Sequence, residues 1–198
     1  LLAGKVAITT TLSAACGASS ALIIGYIQTG AYDLGCVMNG VLGGLVSITA
    51  GCASTEPWCA CLIGLIGGGV MMTGSYIVKS LRVDDVVDAV AVHGFCGLWG
   101  LLAVGFFADE GSMRMSYGSY AMANQMADIE TYKGVFWGGN GKLLACNFTL
   151  SLAILAWVGV TMSLFFFCCA AAGVLRVTEA EELEGLDVSH HGGKAYEE

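Results

Sequence analysis

The 198-residue chain is 56% hydrophobic and only 12% charged, with 29 glycines and one proline. A soluble domain carries about twice that share of charge, and apolar runs studded with glycine point instead to closely packed membrane helices. The net charge of -8 gathers mainly after Arg176, so the basic footprint that nucleic-acid binding needs is missing.

Five segments are apolar and long enough to span a bilayer, at about 6–27, 34–53, 58–78, 85–108 and 143–175, given that about 20 helical residues cover the roughly 30 Å of hydrocarbon. The first is rich in Ser and Thr, which can bond back to their own helix backbone. The second contains NGVLGGLVSITAGC, where Gly40 and Gly44 make a GxxxG pair and Gly43 widens the small face. Pro57 stands where a missing N–H costs nothing, at the first turn of the third. That span presents Gly64, Gly67, Gly68 and Gly69 as a second small-residue surface, with Trp58, Lys79 and Arg82 as interface anchors.

The fourth span is the most informative. Asp84, Asp85 and Asp88 open it, and between Ala89 and Ala108 the one group that titrates near neutral pH is His93. A polar side chain at membrane depth is expensive unless it is buried against protein or lines a water path, so it marks a functional site by default. Desolvation penalises the imidazolium, leaving a neutral ring with one donor and one acceptor nitrogen, suited to relaying a hydrogen bond or proton. Gly97 and Gly100 are expected on the same face as His93, where they would let another backbone come close and enclose a dry passage. The aspartates read as helix caps, Asp85 with Asp88 resembling a capping box. Asp88 and His93 are about 140° apart around a helix, which argues against a direct pair and against an intramembrane enzyme built on them.

Residues 109–142 read as a long polar loop, and the fifth span, helix-compatible to about Leu175, is long enough to tilt or extend past the membrane. The acidic segment after Arg176 reads as a solvated tail, and the adjacent His190 and His191 lack the further ligands a metal needs. The nine cysteines suggest packing rather than a disulfide framework, because Cys16, Cys36, Cys96, Cys168 and Cys169 lie within apolar segments. Nothing in the pattern asks for a cofactor or metal. The start LLAGKVAITT has neither Met nor a signal-peptide layout, and the expectation is a C-terminal piece of a longer protein. Lys79, Arg82, Arg176 and Lys194 fall on one side of a five-span topology and Lys5, Arg114, Lys133 and Lys142 on the other, so charge leaves the orientation open.

Four stretches then point to one family. RVDDVVDAVAVHGFCGLWG, residues 82–100, resembles the signature of the ammonium transporters, relatives of the methylammonium permeases and Rhesus glycoproteins. NGVLGGLVSITAGCASTEPW (39–58) and GKLLACN (141–147) are similar to the plant-type branch, and GLDVSHHGGKAY (185–196) resembles the cytoplasmic C-terminal motif. The resemblance implies an all-α, polytopic membrane protein of eleven helices in two inverted halves, of which this chain supplies the last five. It implies a homotrimer with one pore per subunit, at the plasma membrane, with residues 1–176 in the bilayer and 177–198 as a cytoplasmic regulatory tail.

His93 would be the second of the family's paired pore histidines, with Ala89, Asn39 and Thr49 along the same substrate pathway. Ammonium would be recruited outside, deprotonated and conducted as ammonia with proton relay, and residues 109–142 would face outside. In the tail, Gly185, Asp187, Ser189, Gly192 and Tyr196 match the regulatory motif, with Ser189 where plant relatives have a phosphorylatable threonine. The alternative is a non-conducting ammonium sensor on the same fold.

Overall fold

The computed structural model describes residues 1–123, 132–191 and 193, with the backbone alone for residues 119–123 and 189. Helix α1, Leu2–Thr29, ends where Gly30 takes a left-handed conformation (φ 72°) and its N–H bonds the Tyr26 carbonyl, a conformation glycine adopts without steric cost. Asp33 starts α2, Leu34–Thr49, by accepting from the Gly35 N–H at 2.8 Å. At 16 residues α2 measures about 24 Å, shorter than the span expected from the sequence. The chain continues in turns, where Thr55 Oγ1 donates to the Gly51 carbonyl at 2.9 Å.

Pro57 occupies the first turn of α3, Pro57–Ser80. A turn through residues 81–88 follows, with Arg82 and Asp88 both at positive φ (54° and 55°). The next span begins as a π-helix, Val90–Phe95, and continues as α4, Cys96–Phe107. The polar stretch after it is not a loop throughout, since Glu110–Ala123 forms α5 and Val135–Trp137 a 3-10 turn. Asp109 accepts from the Ser112 N–H at 2.9 Å to cap α5, and Arg114 pairs with Glu110 one turn away at 2.9 Å. Helix α6, Lys142–Ala171, stops short of Leu175 because Gly173 turns left-handed (φ 70°) and the Val174 N–H closes on the Cys169 carbonyl.

Among the described residues the fold is all-α, with one isolated bridge between Thr55 and Ala108. Four helical stretches among the described residues are long and apolar enough to cross a membrane: Leu2–Thr29, Pro57–Ser80, Val90–Phe107 and Lys142–Ala171. This is the architecture of a polytopic membrane protein.

The chain divides into two units, Leu1–Ser151 and Leu152–Glu198. In the first, α1 lies against α2 and α3 along a strip of small residues, Thr9, Ser13, Gly17 and Ala21, all buried and one turn apart. A Cβ on Gly44 or Gly64 would collide with the Ser13 carbonyl oxygen, and one on Gly17 would lie 2.5 Å from the Gly40 carbonyl. Ser13 Oγ also donates to the Gly44 carbonyl at 2.8 Å. The glycines of α2 and α3 therefore serve to seat α1, in the close-packed mode that small residues allow between membrane helices. Ile48, Cys59, Ala60, Ile63, Ala103 and Phe107 form one apolar cluster, and Ala21, Met71, Val92 and Cys96 a second. Trp99 Nε1 donates to the Ile63 carbonyl at 3.1 Å, satisfying the indole N–H in apolar surroundings.

The second unit contains the rest of α6 and two short tail helices, α7 (Glu179–Glu184) and α8 (Leu186–Ser189).

Candidate functional site: a histidine on a π-helical turn

Asp85 caps the fourth span with both carboxylate oxygens, Oδ1 accepting from the Ala89 N–H at 2.8 Å and Oδ2 from the Val90 N–H at 2.9 Å. Negative charge on the free amides of a helix start is favourable. Asp88 takes no part in a capping box. The helix begins at Ala89, so Asp88 stands before it, and its carboxylate turns to the other helices. Oδ1 accepts from Ser75 Oγ at 2.5 Å and lies 3.5 Å from Lys79 Nζ, and Oδ2 accepts from Asn39 Nδ2 at 3.1 Å. One side chain thus ties α2, α3 and the start of the histidine helix together. Asp84 is exposed on the same turn.

His93 sits within the π-helical turn Val90–Phe95. Val92 and Cys96, on the side of the turn that packs inward, are buried in the second apolar cluster, and Cys96 Sγ lies 3.5 Å from the Gly67 carbonyl. Phe95 covers Gly74, where an added Cβ would lie 2.9 Å from the ring. With those residues turned to α3, His93 and Gly94 are left exposed on the opposite side. The π turn also places an extra residue in the register, so Gly97 and Gly100 are not aligned with His93 as α-helical spacing predicts. Gly100 is buried against α2, its Cβ position 2.7 Å from the Ser47 carbonyl, while Gly97 is half-buried with Val46 as its nearest neighbour. Among the described residues, Gly97 and Gly100 face Val46 and Ser47 of α2, while His93 is exposed. Those glycines hold helices together elsewhere.

Of the residues read as a substrate pathway, Asn39 is half-buried and fixed by Asp88, whereas Ala89, His93 and Thr49 are exposed. Thr49 Oγ1 bonds back to the Leu45 carbonyl at 2.7 Å. Asn39 and Asp88 line a cavity of about 430 Å³ together with Ser75, Tyr76 and Lys79; His93, Ala89 and Thr49 are not among its lining residues. The Asp88 carboxylate goes to Ser75 and Asn39, and because Asp88 precedes the helix the angle expected between it and His93 does not apply. Sequence reasoning missed Ser75 and read Lys79 only as an interface anchor. Their signal was a polar pair one turn apart at the end of an apolar helix.

In the tail, Thr178 and Glu181 form a capping box: the Glu181 N–H donates to Thr178 Oγ1 at 3.3 Å and the Thr178 N–H to Glu181 Oε2 at 2.9 Å, with the Thr178 hydroxyl also 2.7 Å from Oε2. His190 Nε2 lies 3.5 Å from Glu181 Oε1. The Thr178 hydroxyl, then its backbone amide and His190, hold the Glu181 carboxyl below the usual range. Gly185 (φ 94°) joins α7 to α8, Asp187 is exposed, and Ser189 ends α8. Gly192 and Tyr196 lie outside the described residues.

The model of the Ammonium Transporter Family matches residues 2–196. The chain is 37% identical to the putative ammonium transporter 1 member 5 of Arabidopsis thaliana over 98% of its own length and 37% of that protein's. It is 42% identical to ammonium transporter 3 of Dictyostelium discoideum over 99% of its length and 43% of the relative's. Among solved structures, a sensor Amt protein superposes with a TM-score of 0.75 at 31% identity, over 94% of this chain and 42% of that one. The chain spans about two-fifths of the length of these proteins.

Proposed function

The chain belongs to the ammonium transporter family, and on that premise we propose that it forms the C-terminal, five-helix part of an ammonium-conducting membrane protein in which His93 is a pore histidine. Members of the family are transporters rather than enzymes. The observation that carries the reading is the position of His93: an exposed imidazole on a π turn whose inward side is anchored by Val92 and Cys96. Polar side chains at membrane depth face a bundle interior or a water path rather than lipid, and π turns occur frequently at functional sites. The face that bears His93 is therefore the one completed by the other helices of the longer protein, and the passage forms between the two.

The physics of the step follows from desolvation. Moving an intact ammonium ion into a dry passage costs at least several kcal/mol. If the ion passes its proton at the entrance to the hydrogen-bonded path that includes the imidazole, ammonia and the proton cross separately and recombine inside, since a neutral imidazole accepts a hydrogen bond on one nitrogen and donates one on the other. His93 relays in that way, Ala89 and Thr49 line the path, and Asn39 is held in place by Asp88. The subunits assemble as a homotrimer in the plasma membrane. The tail lies in the cytoplasm and regulates transport through residues 185–196, where phosphorylation of Ser189 would add negative charge beside Asp187 and Glu184.

The test is ammonium-dependent growth of a transport-deficient host expressing a full-length protein with this C-terminal sequence. Growth rescue supports conduction. The likeness to a sensor Amt protein favours one other reading, a non-conducting sensor, for which surface expression without rescue is the expected result.

A further inference from the structure

An apolar groove of about 620 Å³ lies between α1 and α3 beside the π turn, with Ile24, Ile66, Gly69 and Phe95 on its walls. It is continuous with the polar cavity of about 430 Å³ that holds Asn39 and Asp88, because Gln28, Met72 and Tyr76 line both. The junction lies toward the ends of α1 and α3, and Asp33, at the start of α2, stands with Lys79 on the cavity wall. The ends of membrane spans lie at headgroup level, so the groove falls at the depth of acyl chains and the cavity at that of headgroups.

The charges of the cavity make two different demands. Lys79 Nζ lies 3.5 Å from Asp88 Oδ1, and the same carboxylate accepts from Ser75 and Asn39. The lysine side chain is still 68% exposed, and an ammonium group has three donors, so it can also hold a phosphate. Asp33 is exposed and commits Oδ1 to the Gly35 N–H at 2.8 Å; among the described residues no cation pairs with it. A fitting ligand therefore carries a phosphate for Lys79, a primary ammonium for Asp33 and an apolar chain for the groove. Lipid tails are as apolar as the groove, so seating one gains little by itself and the headgroup supplies the selectivity.

We propose that groove and cavity together bind one phospholipid with a primary-amine headgroup, phosphatidylethanolamine. Its ammonium meets Asp33, its phosphate meets Lys79, and one acyl chain lies along Ile24, Ile66 and Gly69. The Gln28 amide and the Tyr76 hydroxyl, both exposed at the junction, are further donors to the phosphate. The site does not include His93, Ala89 or Thr49 and does not depend on conduction.

The experiment is lipid titration of the purified, delipidated full-length protein, read by native mass spectrometry. Phosphatidylethanolamine, phosphatidylcholine and phosphatidylglycerol with the same chains are compared in the tightest binding step. The ethanolamine lipid should bind about fivefold or more tightly than the others, since choline lacks N–H groups for Asp33 and glycerol lacks the charge. Asp33→Asn keeps a good N-cap but removes the charge, and the preference should shrink to about twofold or less. A Cβ at Gly69 meets only Ile24 Cδ1, at 3.7 Å, so Gly69→Leu is accommodated on α3 while filling the groove, and binding of all three lipids should drop together. Equal binding of the three lipids by the wild type would overturn the proposal, as would undiminished binding in Gly69→Leu. So would binding of none, the result if a protein segment fills the groove. The wild-type comparison decides the matter even if a variant fails to fold, and growth rescue by ammonium tests the transport reading separately.

Discussion

Asn39 Nδ2 donates to Asp88 Oδ2 at 3.1 Å, and this bond links α2 to the turn from which the His93 helix starts. The same carboxylate accepts from Ser75 on α3 at 2.5 Å. The start of the histidine helix is therefore set by two neighbouring helices as well as by its own cap.

Replacing Asp88 should loosen that junction. Asp88→Ala leaves Asn39 and Ser75 without their acceptor and places alanine at φ 55°, and the expected loss of stability is about 2–4 kcal/mol. Asp88→Asn retains an acceptor and tolerates the left-handed conformation, so it should cost about 1 kcal/mol or less. Thermal unfolding of the two variants in one detergent checks the order; an equal loss in both would contradict it.

Asp85 acts more locally. Asp85→Ala should cost about 0.5–2 kcal/mol through the lost cap. The amides of Ala89 and Val90, which donate to Asp85, should show the largest rise in hydrogen exchange. Uniform exchange along the helix would argue against the assigned role.

The helix seats on α1 predict a contrast between glycines. Gly64→Ala pushes a methyl group into the Ser13 carbonyl, whereas nothing lies within 4 Å of a Cβ at Gly159. Gly64→Ala should destabilise by about 1–3 kcal/mol, while Gly159→Ala, in an open helix interior, should be neutral or stabilise by up to about 1 kcal/mol. Paired melting curves give the comparison.

The tail has a pH dependence of definite sign. The Glu181 carboxyl is held below its ordinary value by Thr178, so the stability it adds to α7 is present above the unfolded value of about 4.3 and lost as pH falls through the lowered folded value. An NMR titration of the Glu181 carboxyl should move back up in Thr178→Val. No movement would mean that the capping box does not hold the charge.

The sequence revealed four of its five expected spans and the Asp85 cap because apolar length and capping chemistry are local signals. Its angle between Asp88 and His93 assumed one α-helix, whereas Asp88 precedes the helix and His93 lies on a π turn. The π turn was hidden, since in AVAVHGFCGLWG nearly every residue is apolar or small and a period of 3.6 cannot be told from a longer one. Gly97 and Gly100 were assigned to the face of His93 for the same reason. Helix α5 was missed because EGSMRMSYGSYAMA is polar and glycine-bearing, and its start depends on Asp109 and on Lys5 and Glu56, far away in sequence and both hydrogen-bonded to Ser112. Gly40, Gly44 and Gly64 were recognised as a packing surface, but only the folded chain identifies Ser13 and Gly17 of α1 as what they receive.

The central claim, that the exposed His93 ring becomes the working wall of a pore, is tested most directly by His93→Ala in a full-length protein carrying this sequence, with ammonium-dependent current and selectivity over potassium measured at equal surface expression. A relay histidine predicts that current falls by about tenfold or more, corresponding to about 1.4 kcal/mol or more in the barrier, or that selectivity over potassium is lost. Current and selectivity equal to wild type would contradict the account.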